Sequence, residues 1–137
     1  MPKALTILSF DFGTRRVGVA VGNSITRSGQ ALKTISASSG DALFQEIESL
    51  LKEWQPDQLA VGRPVHPDGS PHEMTVKAVR FGNQLHGRFH LPVAWVDERY
   101  TSAVLEGDPK MQDNLDAHSA VLILEQYFAE QSVKSLN

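Results

Sequence analysis

The sequence contains no cysteine, which excludes a disulfide framework and any thiolate metal site. It also lacks a long apolar run: no stretch approaches the roughly 20 residues that a membrane-spanning helix needs. The opening segment, MPKALTILSF, carries one lysine and too short an apolar stretch for a secretion signal. The expectation is a soluble cytoplasmic protein with no membrane partner. An excess of positive charge is missing too. The formal net charge is −3, which does not advertise a nucleic-acid binder. The distribution says more than the sum. Arg15, Arg16, Arg63 and Arg99 fall in or beside predicted strand ends, whereas Glu46, Glu48 and Glu53 lie on a predicted helix. A local basic rim on an acidic protein and a scatter of solvated arginines are both compatible with that pattern. Internal repeats and low-complexity segments are absent as well. What is present, 137 residues with 41% hydrophobic and 21% charged content, suits one domain over 1–137 with a sizeable core.

The chain is organised around Ile7 to Gly22, ILSFDFGTRRVGVAVG. An apolar run leads to one acid, Asp11. A glycine turn and two arginines follow, and a second small-apolar run closes the stretch. This reads as two adjacent antiparallel strands with Asp11 at the end of the first. A carboxylate there is costly unless it is paired, hydrogen-bonded or bound to a metal. An Asx-type bond that ties down the turn is the other reading.

Further along, Ala4 to Asp11, Arg16 to Gly22 and Ala31 to Ile35 form a predicted antiparallel meander. Asp41 to Trp54 is a helix, with Leu43, Phe44, Ile47, Leu50, Leu51 and Trp54 at three-and-four spacing. Leu59 to Gly62 is a short strand. Arg63 to Pro71 is a proline-rich loop, long for a strand-to-helix connection. Glu73 to His86 is a second helix, with Met74, Ala78, Phe81 and Leu85 on one stripe, and Pro92 to Val96 is a fifth strand. Thr101-Ser102 can cap a short helix starting near Ala103. Gly107 to Asn114 reads as a loop and Asp116 to Glu130 as the last long helix, with a frayed tail after Gln131.

The β-β-β-α-β-α-β-α order predicts an α/β fold, a five-stranded mixed sheet with helices on both faces. Right-handed crossovers place the later strands beside strand one, giving the order 3-2-1-4-5 with strand one central. Its C-terminal end then neighbours the ends of strands four and five, the crevice where open sheets with parallel strands bind ligands. Asp11, Arg63 and Asp97-Glu98 converge there, and Asp116, opening the last helix, lies over the same edge. Because alternate residues of a strand face opposite ways, only one of Asp97 and Glu98 faces the crevice. Clustered carboxylates repel one another unless cations intervene, and their oxygens suit Mg²⁺ or Mn²⁺. Structural roles compete for each: an N-cap for Asp116 and an ion-pair cluster for Asp97-Glu98-Arg99. His118, two residues past Asp116, does not share its helix face and reads as a packed or surface residue.

With these residues assembled, the chain resembles the YqgF/RuvX family of RNase H-like nucleases. Four segments carry the likeness in order: DFGTRRVGVAVG, AVGRPVHPDGS, VDERYTS and DAHSAVLILEQYF. Family members are described as Holliday-junction resolvases and as nucleases that process the 5′ end of the small-subunit ribosomal RNA precursor. The resemblance implies an RNase H-like fold and an acidic triad of Asp11, Glu98 and Asp116, with Glu98 rather than Asp97 as the metal-facing member. It also implies Mg²⁺ or Mn²⁺ as cofactor and an Arg63-Pro64 loop near the substrate. The expected function is a metal-dependent endonuclease acting on structured RNA, pre-ribosomal RNA first. Cleavage of branched DNA by a homodimer, or binding of nucleic acid without turnover, are the alternatives. Arg15, Arg16, Arg63 and Arg99 are expected to bind backbone phosphates. The chain departs from the family pattern where Arg63 replaces the apolar residue of a usual G-L-P, where His118-Ser119 precede a single Ala120, and in a short segment between Ser102 and Asp116. DFGT is also similar to the metal-binding motif of kinases and to the actin-like ATPases. The chain has neither a glycine-rich phosphate loop nor an H-R-D loop, and it lacks the second domain that an ATPase cleft needs.

Overall fold

The computed structural model describes residues 4–13, 15–37, 39–64, 73–98 and 112–135, with the backbone alone at 73, 98, 112–116 and 131–135. The element order is β1 (Thr6–Phe12), β2 (Arg16–Asn23), β3 (Gly29–Ser36), α1 (Gly40–Trp54), β4 (Gln58–Pro64), α2 (Glu73–Phe89), β5 (Val93–Glu98) and α3 (Gln112–Ser135). The five strands form one sheet in the order β3-β2-β1-β4-β5. β1 pairs antiparallel with β2 and parallel with β4, and β4 pairs parallel with β5. Strand one is therefore central in a mixed sheet, as its flanking connections dictate: a short turn permits only the antiparallel neighbour, and helical crossovers supply the parallel ones.

Alternation along the strands sorts the core into two layers. Leu8, Phe10, Val17, Val19, Leu59 and Val61 are buried together with Leu43, Phe44 and Ile47 of α1 and Phe81 and Leu85 of α2. Ile7, Ala20, Ala60 and Val96 point the other way, into Ala120, Val121, Ile123, Leu124, Tyr127 and Phe128 of α3. One face thus carries two helices and the other carries α3. The α2 layer is tight: Phe81 stacks on Phe12 with ring centroids 4.8 Å apart, and a Cβ added at Gly82 would lie 2.3 Å from the Trp95 ring. Only glycine lets α2 approach the sheet that closely.

The helices start and stop as their termini require. Ser39 caps α1, its hydroxyl accepting from the Ala42 N–H, and Gln55 closes the helix in the left-handed conformation. Several boundaries extend past the predicted ones, and α3 differs most. It begins at Gln112, inside the segment expected to be a loop to Asn114, and runs through Gln131 to Ser135. Before Ala117 the helix carries Leu115 as its one apolar residue, too little for a stripe to be read, and the repeating apolar positions that set the periodicity start at Ala117. Asp116 consequently lies more than a turn inside the helix and is not its N-cap. The helix expected near Ala103 and the tip of the loop after Arg63 lie outside the described residues, as does Arg99.

Candidate active site

β1 ends in a tight turn. The Gly13 N–H donates to the Arg16 carbonyl at 2.9 Å, and a Cβ at Gly13 would sit 2.8 Å from that oxygen, so the turn needs glycine. Asp11 is not part of the turn. It is a half-buried strand residue paired with Gly18 of β2. On its other side, the β1–β4 register runs to Phe10↔Val61, and one further step brings Gly62 beside Asp11. The acid therefore stands on the sheet between two residues that have no side chain. That row continues to Val96 on β5, which pairs with Gly62. Neither neighbouring strand sets a side chain directly beside this carboxylate, and both glycines are themselves buried.

Face parity then decides which residues share a face with Asp11. Ile7 belongs to the α3 layer, and Ser9 and Asp11 follow it at intervals of two, so all three occupy the α3 face. Ser9, fully buried, donates its hydroxyl to the Ala120 carbonyl at 2.6 Å. This bond pins α3 to β1 two residues before Asp11. Asp116 is four residues before Ala120, about 6 Å along the helix axis. The helix runs back toward the acid: Ala117 lines a cleft with Arg16 and Ser36 at the Asp11 end, while Leu124 and Phe128 pack by Gly22 at the far end. Position 98 has the parity of Val96 and also falls on the α3 face. It lies two strands from Asp11, roughly 10 Å by strand spacing, and two residues farther along β5. Positions 11, 98 and 116 thus meet at one end of one face.

Asp97 has the opposite parity. Its Oδ1 accepts from Arg63 Nε at 2.7 Å, on the α1/α2 face, and its backbone carbonyl accepts from Gln126 Nε2 at 3.0 Å. The hydrogen bond that Arg63 donates to Asp97 is the main cause that raises the Arg63 pKa above its usual value; burial opposes it and the carboxylate charge adds to it. Of the Asp97-Glu98-Arg99 cluster entertained from sequence, Asp97 finds its partner across the sheet. Thr75 at the start of α2 donates its hydroxyl to the Pro64 carbonyl, holding the β4 end from that same side. Arg15 is exposed at the turn and Arg16 is half-buried on the α3 face. His118 is exposed, as a surface residue should be.

The donor set suits a hard divalent cation: hard oxygens and no sulfur. Among the described residues no three His, Asp or Glu side chains gather around a point; those of Glu98 and Asp116 fall outside that set. Sequence reasoning missed Ser9, Gly18 and Gly62, which position or clear the acid. A signal existed for the first, a lone hydroxyl within the apolar run ILSF.

A mixed sheet in this order, with an acid on the central strand at the C-terminal ends of its parallel neighbours, defines the RNase H-like class. The sheet overlays a solved structure of RuvC from T. thermophilus, described in complex with a Holliday junction substrate. The TM-score is 0.58 over 93% of this chain and 96% of that one, at 11% identity. The chain belongs to the RuvX family, described as Holliday junction resolvase, whose profile matches residues 5–130. Close relatives agree. A protein of Polynucleobacter necessarius subsp. necessarius (strain STIR1) is 75% identical over 92% of this chain and 86% of its own length. One of Burkholderia vietnamiensis (strain G4 / LMG 22486) is 51% identical over 93% of this chain and 91% of its own. Both are named "Putative pre-16S rRNA nuclease". The family is one of nucleases, hydrolases that act on nucleic acid.

Proposed function

We propose that the chain is a single-domain, divalent-metal-dependent endonuclease of the cytoplasm that hydrolyses phosphodiester bonds in structured RNA, its substrate being the 5′ region of the pre-16S ribosomal RNA. One observation carries this reading: Asp11 stands between Gly18 and Gly62 on the face and at the sheet end where positions 98 and 116 also lie. The names of the close relatives support the substrate. Asp11, Glu98 and Asp116 would hold Mg²⁺ or Mn²⁺. When bound, the metal supplies a Lewis acid that lowers the pKa of water and offsets charge at phosphorus.

The chain supplies the rest. Arg16, on the Asp11 face, and Arg15 at the turn orient the backbone through charge-assisted bonds to phosphate oxygens, with Arg99 as a further ligand. Arg63 has two parts: its Nε holds Asp97, and the exposed remainder of its guanidinium meets phosphate from the other face. Ser9 keeps α3, and with it position 116, in place over the sheet. Packing of α3 on the sheet limits water to the open end.

The family description keeps a second reading, cleavage of four-way DNA junctions, which requires two sites on one branched substrate and so a homodimer. Purified protein is to be incubated with a labelled 5′ pre-16S fragment and with a DNA junction, in Mg²⁺, Mn²⁺ or EDTA. Metal-dependent cuts in the RNA are expected. Cuts confined to the junction favour the second reading, and binding that survives EDTA without any cleavage favours a binding module and sinks both.

A further inference from the structure

We propose that the cleft between β3 and the start of α3 takes the sugar–phosphate backbone of a single RNA strand leading away from the scissile bond. It is lined by Arg16, by Ala31, Leu32, Lys33, Thr34 and Ser36 of β3, and by Ala117, and its volume is about 450 Å³. That size falls within the range of sites for small ligands. This inference rests on the nuclease reading and gives it a direction along the sheet.

The register makes the argument. Thr34 pairs with Gly18, and Gly18 pairs with Asp11. The hydroxyl and the acid therefore occupy one row of the sheet, roughly 10 Å apart by strand spacing, with no side chain between them. Ser36 pairs with Arg16 in the next row, so a second hydroxyl stands beside a guanidinium on the same face. The irregularity in the pairing between Val19 and Ala20 restores this parity: beyond it, Thr34 and Ser36 fall on the α3 face with Arg16. β3 is an edge strand, so a strand lying in the cleft leaves the protein without crossing another element. Lys33 pairs with Val19 and so starts from the α1/α2 face, reaching the rim of the cleft around the edge strand. Its ion pair with Glu46 spans 3.7 Å with both side chains about half exposed, a contact weak enough to exchange for phosphate.

The chemistry matches a nucleic-acid backbone and little else. Arginine and lysine neutralise phosphates, and short hydroxyl side chains bond phosphate and sugar oxygens. Two hydroxyls in adjacent rows also suit the ribose 2′-OH, the group that separates RNA from DNA. Among the described residues none of the lining side chains is aromatic, so their contact is with the backbone and is indifferent to sequence.

The test uses full-length protein in the Asp11→Asn background, which binds without cutting. The probes are one RNA hairpin, blunt or with a single-stranded extension, and the same hairpin extended in DNA. The RNA extension is expected to tighten binding at least about fivefold, and the DNA extension less. Thr34→Val with Ser36→Ala should erase most of that gain and leave the blunt hairpin unaffected. Lys33→Glu, at an exposed position that does not endanger folding, should reduce the gain in the same selective way. Equal losses on blunt and extended RNA, or no loss in either variant, overturn the proposal. A DNA extension that helps as much as RNA overturns the ribose contact. Cleavage by the parent protein is read separately: no metal-dependent cleavage of any RNA defeats the nuclease reading, whereas cleavage without the extension effect defeats only this one.

Discussion

The two faces of the sheet end in the same place and do different work there. On the α3 face, the row through Asp11 runs Thr34–Gly18–Asp11 and on toward Gly62 and Val96, sparse in side chains. On the α1/α2 face, one residue away along each strand, Phe12 stacks on Phe81, and Arg63 grips Asp97. The first face carries small residues beside its acid and the second is filled with large ones. Strands make such a division easy, because neighbouring residues belong to opposite faces. Two adjacent acids, Asp97 and Glu98, are thereby split between bracing and the candidate site.

The largest effect expected from breaking this division is at Asp11. Asp11→Asn should lower metal-dependent RNA cleavage by a factor on the order of 10²–10³ or more. The metal-free protein should melt no earlier than the parent, because one of several like charges is gone. Metal should raise the melting temperature of the parent, since a ligand of the folded state stabilises it, and that increase should shrink in the variant. A variant that melts earlier yet cuts at the parent rate would make Asp11 a structural residue.

On the filled face the loss should be of stability alone. Gly82→Ala forces a Cβ against the Trp95 ring and is expected to cost about 1–3 kcal/mol. Urea titration measures it, while cleavage below the melting range should stay near the parent rate. A large loss of cleavage by folded Gly82→Ala would show that the two faces are coupled.

The arginines sharpen the contrast further. Arg16→Ala should reduce the slope of log K against log salt by about 0.7 for a single-stranded contact. Arg63→Ala should reduce it less, and should instead cost about 0.5–1 kcal/mol of stability, a modest figure because the pair with Asp97 is more than a third exposed. Equal slopes for both variants would erase the distinction.

The smallest effect lies in the α3 layer. Tyr127 donates to Gln58 Oε1 at 2.9 Å, and burial raises its pKa above the usual phenol range. A raised folded-state pKa means that its share of stability is complete below the ordinary tyrosine pKa of about 10 and is lost as pH climbs through the folded value. Tyr127→Phe should therefore be about 0.5–1.5 kcal/mol less stable near neutrality, and the two melting curves should converge in alkali. A constant gap across that range would count against the burial argument.

Much of this architecture was legible in the sequence because its signals are local. Alternation in ILSFDF, helical spacing from Leu43 to Trp54 and the handedness of crossovers sufficed for the strand order. Topology also led to the expectation that Asp11, Glu98 and Asp116 converge; the backbone places positions 11, 98 and 116 toward one end of the α3 face, and the side chains of Glu98 and Asp116 lie outside the described residues. The Arg63–Asp97 bond was not legible, because it depends on the register between two parallel strands separated in sequence by a whole helix, and no turn between them sets that register. The start of α3 was misread because Gln112 to Asp116 carries only one apolar residue, Leu115, too little for a helical period to be read before Ala117. The glycine-flanked row escaped notice for a related reason: Gly18 and Gly62 look like strand weakeners until pairing places both beside Asp11.

The parallel pairing of β1 with β4, Ile7 to Gln58, has a consequence for how the protein is made. Residues 6–36 form a hairpin meander from near neighbours, whereas β1 meets β4 only after some fifty more residues have left the ribosome. Contacts between distant segments close late, and chains gain structure from the N-terminus as they emerge. Asp11 is in place early, and the α3 layer that completes its surroundings arrives last. A growing chain halted before position 112 should therefore be inert toward RNA that the full chain cuts. An enzyme that processes ribosomal RNA would gain its activity only once it had cleared the ribosome that made it.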